Sequence, residues 1–240
     1  MTEHTVKAYE GELTALETGV AEMSAQTLEQ VRAAVAAITA HDSALARSTV
    51  DGDAHLDLME ARIEQQAVRL IALRQPMARD LRDILGAMKI AANLERCGDL
   101  AKNIAKRALA VDGADFPDPS SGSIARMGRL VADRLGQVLA AQRTRDGSLA
   151  LAVWRQDAEV DQQYESLFRE LLTYMMADPR MISPCAHLLF VAKNLERIGD
   201  HATNIAEAIH YQITGDPAPG AGRPKWDLLV QGEARETGAP

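Results

Sequence analysis

The chain has 240 residues, 34 of them acidic and 26 basic, which leaves a formal charge of −8. Its 47% of apolar residues excludes wholesale disorder. The acidic balance and only 4% of aromatic residues exclude a duplex-binding or base-stacking nucleic-acid domain. Cys97 and Cys185 are too few for a disulfide framework or a Cys-rich zinc site, so a reducing compartment is expected. The start, MTEHTVKAYE, has no basic stretch followed by an apolar one, and no segment is apolar for the length of a bilayer. A soluble, cytoplasmic protein is the expectation.

The sequence reads as helix nearly throughout. All nine prolines lie at or after Pro76 and none falls between Pro119 and Pro179. Proline inside a helix costs about 3 kcal/mol, so these gaps leave room for long helices. Steps of three and four through Leu13, Leu16, Val20, Met23, Thr27, Val31, Ala34 and Ile38 predict a first helix with one buried face. His41-Asp42-Ser43 supplies the cap of a second helix, which runs to about Arg74 with a weak point at Asp51-Gly52. Arg74-Gln75-Pro76 breaks it, and a third helix follows to about Val111.

Residues 112–123, DGADFPDPSSGS, are rich in turn formers and predict a linker. A fourth helix then runs to about Arg145, where Asp146-Gly147 ends it, and a fifth covers Ser148 to Ala177, stopped by Asp178-Pro179. Ser183 as N-cap and Pro184 at the first helical position open a sixth, which ends near Gly215. Residues 215–240 read as a flexible tail. The expected fold is all-α: two tandem three-helix bundles, 1–111 and 124–214, joined by the 112–123 linker.

An internal repeat carries most of the functional information. Residues 93–105, NLERCGDLAKNIA, and 194–206, NLERIGDHATNIA, agree at ten of thirteen positions; the differences are Cys97/Ile198, Leu100/His201 and Lys102/Thr203. The preceding helix repeats an acid pair, Asp53 and Asp57 against Asp157 and Asp161. Glu95, Asp99 and Asn103 step by four, as do Glu196, Asp200 and Asn204, so each trio forms one oxygen-bearing stripe. Leu195, Ile198, Ala202 and Ile205 form a neighbouring stripe that faces the core. If the acid-bearing helices pack antiparallel, four carboxylates converge in each half.

Converging carboxylates repel and must be protonated or neutralised by cations, for which oxygen-bound divalent metals are the natural choice. Other readings stay open. Arg96 and Arg197 can pair with the acids or bind an anion, an acid stripe can be a plain solvated face, and Asp53 can merely favour a helix N-terminus. Gly98 and Gly199 each cost roughly 1 kcal/mol inside a helix, explained by close packing or by approach to a ligand. Cys97, Trp154 and Met175-Met176 read as packing residues. A di-metal carboxylate enzyme would need Glu-x-x-His twice, whereas Glu207-Ala-Ile-His210 occurs once and both NLER segments place glycine where histidine is required.

The two NLER segments, each preceded by a D-x-x-x-D helix, resemble the PhoU family of phosphate-signalling regulators. The resemblance covers roughly residues 5–214, including VRLIALRQPMARDLR (68–82) and LLTYMMADPR (171–180). It implies two tandem three-helix bundles and clusters of divalent or trivalent metal ions, iron or zinc, with manganese or magnesium as alternatives. These would lie on Asp53, Asp57, Glu95, Asp99, Asp157, Asp161, Glu196 and Asp200, with Asn103, Asn204 and Glu207 as auxiliaries. Lys106 stands where the second half has Glu207, so the two sites are expected to differ.

The resemblance further implies a non-enzymatic, cytoplasmic homodimer that negatively regulates the phosphate-starvation response and phosphate uptake. It would link the ATPase subunit of a phosphate ABC transporter to a sensor histidine kinase, and meet the membrane through those partners only. A metal-dependent helical-bundle enzyme and a purely structural scaffold are the competing classes.

Overall fold

The computed structural model describes residues 2–111 and 118–219. Residues 112–117 of the expected linker, and the expected tail from residue 220, lie outside the described residues. The described chain is all-α: α1 (Thr2–Thr39), α2 (Ser43–Arg74), α3 (Ala78–Ala110), α4 (Asp118–Thr144), α5 (Gly147–Arg155), α6 (Asp157–Ala177), a 3₁₀ turn (Pro179–Met181) and α7 (Ile182–Thr214). Helices α1–α3 form the first bundle and α4–α7 the second. Helices α3 and α7 pack together at the centre, and α1 also meets α4.

The apolar stripes predict the core closely. On α1, Leu16, Val20, Met23, Thr27, Val31, Ala34 and Ile38 are all buried, with Leu13 partly so. On α7, Leu195, Ile198, Ala202 and Ile205 are buried as well. The buried side chains of both bundles join in one continuous core. Across the central pair, Asn93 on α3 and the His201 ring on α7 are hydrogen-bonded at 2.9 Å.

Capping explains several boundaries. Asp42 caps α2, its Oδ1 accepting from the Leu45 amide at 2.9 Å. Gln75, in the left-handed region at φ 48°, closes α2, and Gly215 at φ 80° closes α7. The Asp51-Gly52 weak point leaves α2 unbroken.

Three expected boundaries need correction. Helix α4 starts at Asp118, so residues 118–123 are helix and not linker. Pro119 fits because the first helical turn needs no amide donor there. The serines are held by α6: Ser120 and Ser123 donate from their hydroxyls to Glu170 at 3.3 and 2.8 Å. The expected fifth helix is two, interrupted at Gln156 (φ −97°, ψ 9°). Arg134 of α4 bonds both Gln156 and Glu159 across that break. Ser183 does not cap α7, which starts at Ile182 with Met181 at its N-cap; Asp178 instead caps the preceding 3₁₀ turn, accepting from the Arg180 amide at 2.9 Å.

The two interior glycines let paired helices meet. A Cβ at Gly98 would lie 2.5 Å from Cδ1 of Leu56 on α2, and one at Gly199 would lie 3.2 Å from Cγ1 of Val160 on α6. Close packing is therefore their role. Cys97 is fully buried and its thiol is pushed well above the ordinary range by that burial. Trp154 and Met175 pack on the core as expected. Met176 does not: it is 86% exposed.

Candidate metal centre

The second bundle assembles the tighter site. Asp161 comes from α6, while Glu196 and Asp200, one turn apart, come from α7. One carboxylate oxygen from each of the three lies within 4.8 Å of the others, and all three residues are half-buried. Among the described residues this is the one group of three His, Cys, Asp or Glu side chains with such spacing. Lys193 sits on its edge, Nζ 2.6 Å from Glu196 Oε2 and 5.2 Å from the Tyr164 ring centre. The fourth repeated acid, Asp157, accepts a hydrogen bond from the Thr203 hydroxyl at 2.9 Å. Asn204 is exposed. Glu207 is engaged elsewhere, accepting from Trp154 Nε1 at 2.9 Å.

The donors are all oxygens, they come from two helices, and their like charges repel at this spacing, with the Lys193 ammonium beside Glu196 offsetting part of that repulsion. That set suits a hard or borderline divalent cation completed by water. Such an ion would tie α6 to α7.

In the first bundle the same positions are arranged differently. Asp53 is buried, Glu95 and Asp99 are half-buried, and Asp57 and Asn103 are exposed. Between them stands Lys102, whose ammonium bonds both Asp53 on α2 and Asp99 on α3. Arg96 adds a second positive group, 3.3 Å from Glu95 and 3.6 Å from Asp99.

Electrostatics follow from these neighbours. The hydrogen bond from Lys102 holds the Asp99 carboxyl below the usual carboxylate range. Burial disfavours the Lys102 ammonium, but its bonds to Asp53 and Asp99 outweigh that and raise its pKa. Burial lifts the Glu95 carboxyl up to about 7; Arg96 pulls it down, while Asp99, Glu60 and Asp57 push it further up.

Two residues absent from the expected site belong to it. Glu60 on α2 is one; burial, then the neighbouring Glu64 and Asp57, raise its carboxyl, with Arg96 opposing. It continues the Asp53–Asp57 stripe by three residues, but the position matching it in the second half is Tyr164, so comparison of the repeats hides it. Lys102 is the other. It stands at one of the three differences between the NLER segments, and that is its signal.

Residues 20–108 and 124–209 each match the family profile of the PhoU domain. The chain belongs to the PhoU family. It is 55% identical over 231 residues to the phosphate-specific transport system accessory protein PhoU homolog of Caulobacter vibrioides (strain NA1000 / CB15N), covering 96% of this chain and 100% of that protein. The corresponding homolog from Rhizobium meliloti (strain 1021) is 47% identical over 225 residues, 94% of each chain. The crystal structure of PhoU from Pseudomonas aeruginosa superposes with a TM-score of 0.84 at 36% identity, over 87% of this chain and 100% of that one.

Two PhoU domains in tandem thus account for the repeat and for the two bundles. Membership of the PhoU family places the chain among accessory and regulatory proteins and not among enzymes. Among the described residues, no helix is long and apolar enough to cross a membrane.

Proposed function

We propose that this protein is an accessory regulator of phosphate transport. It represses the phosphate-starvation response and phosphate uptake by linking the ATPase subunit of a phosphate ABC transporter to a sensor histidine kinase. The observation that carries the reading is the match of both halves to the PhoU domain, together with relatives named as accessory proteins of phosphate-specific transport that align over nearly the full chain. Deleting the gene tests it: starvation-response reporters should become constitutive in phosphate-rich medium. A reporter that still answers normally to phosphate refutes the reading. Co-purification with the transporter ATPase and the kinase under phosphate-rich conditions tests the linking role, and loss of both partners would refute it.

The second-bundle trio binds a divalent cation in this reading, iron, zinc, manganese or magnesium. The support is its oxygen-only donor set, drawn from two helices with one carboxylate oxygen from each residue within 4.8 Å of the others. The cation fixes the α6–α7 geometry and takes no part in a reaction. The di-metal enzyme alternative gains nothing from the site, because Glu207 is tied to Trp154 outside the trio. Elemental analysis of the purified chain, with melting before and after chelation, tests the cation. Bound metal and a lower melting temperature on chelation are expected; neither result appearing would refute it.

A further inference from the structure

The repeated acids sit in equivalent places, and one side chain that bonds the leading acid of each pair differs between the bundles. In each half, the residue three positions beyond the second NLER acid reaches the first acid of the preceding helix. In the second half this is Thr203 to Asp157, through a neutral hydroxyl at 2.9 Å. In the first half it is Lys102 to Asp53, through an ammonium that also bonds Asp99 at 2.5 Å. Lys102 joins Asp53 of α2 to Asp99 of α3, just as an ion at the trio would join Asp161 of α6 to Asp200 of α7. Asp53 is 5% exposed, so its negative charge has little water to fall back on. The three-carboxylate grouping seen at Asp161, Glu196 and Asp200 has no first-bundle counterpart among the described residues.

We propose that Lys102 is the built-in cation of the first bundle: its ammonium takes the place of a divalent ion between α2 and α3, so that bundle loads no divalent metal. The first-bundle acids therefore do not fit the cluster that the family resemblance implies for both halves. Which bundle does load metal rests on the cation reading given above; the role of Lys102 stands on the first bundle alone.

The test uses the full chain, stripped with chelator and dialysed against manganese(II), with bound metal and melting temperature as readouts. Its background is Glu196→Gln with Asp200→Asn, which disables the second-bundle trio. That background chain should bind no manganese. Adding Lys102→Thr, which copies Thr203, should lower the melting temperature of the stripped chain. It should also create manganese binding, at least about tenfold tighter than any residual binding by the background chain, and manganese should restore the melting temperature. Lys102→Arg, which keeps the charge, should do none of this. Lys102→Gln, which keeps most of the side-chain volume, guards against a packing defect and should behave like Lys102→Thr.

Manganese binding by the background chain itself, left unchanged by Lys102→Thr, overturns the proposal. Absence of any gain in both neutral variants while they remain helical also overturns it. A wild-type chain that binds no manganese counts against the second-bundle site, whereas a gain in the neutral variants still supports Lys102.

Discussion

Gly98→Ala should destabilise the protein, while the equivalent change Gly199→Ala should not. The added methyl at residue 98 would lie 2.5 Å from Cδ1 of Leu56, a side chain with no solvent exposure. Leu56 has nowhere to retreat, and forcing an extra methyl into a packed core costs about 1–3 kcal/mol. Replacing glycine by alanine inside a helix returns about 1 kcal/mol. The balance is a net loss of about 1 kcal/mol, or a fall in melting temperature of about 2–4 °C for a chain of this size.

At Gly199 the nearest atom is Cγ1 of Val160 at 3.2 Å, which yields with a few tenths of an ångström of movement. There the helix gain offsets the contact, and stability should hold or rise by up to about 1 kcal/mol. Urea denaturation followed by circular dichroism reads both variants. A double-mutant cycle sharpens the result. Leu56→Ala alone should cost about 3 kcal/mol, and the methyl of Ala in Gly98→Ala would then enter the void. The double variant should lose less than the sum of the two changes by about 1 kcal/mol. A Gly98→Ala chain as stable as the parent, or strict additivity with Leu56→Ala, would refute the packing argument.

Other outcomes follow from single contacts. The folded Glu95 carboxyl titrates at about 7 against an ordinary 4.5, so its stability contribution is fully present below about pH 4.5 and is lost as pH rises through 7. In chelated protein the melting temperature of Glu95→Gln relative to wild type should therefore increase from about pH 5 to about pH 8; a constant difference would contradict burial as the cause. Asp42→Ala removes the side-chain hydrogen bond that caps the N-terminus of α2 and should cost about 1 kcal/mol by chemical denaturation, with Asp42→Asn retaining most of it. Trp154→Phe takes away the indole donor to Glu207 and should cost about 1 kcal/mol. If Glu207→Gln in the same background changes nothing further, that bond carries the effect.

Much of this architecture was legible because helical periodicity and proline placement are local signals. The α1 stripe from Leu13 to Ile38 and the stop at Gln75-Pro76 needed nothing from the rest of the chain. What escaped was set by distant partners. Residues 118–123 have the composition of a turn, but Glu170, about fifty residues away, accepts from Ser120 and Ser123 and holds them in α4. The break at Gln156 carries no proline or glycine of its own and is bridged by Arg134 from another helix. At the site, the repeat brought the right acids to notice, because duplicated residues are visible in one sequence. The reach of a lysine side chain across to α2 is not, and neither is the diversion of Glu207 to Trp154.

The interruption at Gln156 also alters the surroundings of Asp157. Asp53 lies within α2, more than two turns from its start, where backbone amides are already spent on the helix. Asp157 is instead the first residue of α6, with Glu159 beside it in the opening turn. The aligned peptide dipoles of α6 supply a partial positive charge, equivalent to about half an elementary charge at a helix start. The helix start thus adds a backbone contribution at Asp157 that Asp53, in mid-helix beside the Lys102 ammonium, does not receive. A duplicated fold can keep the same acid in both copies while changing the backbone setting around it.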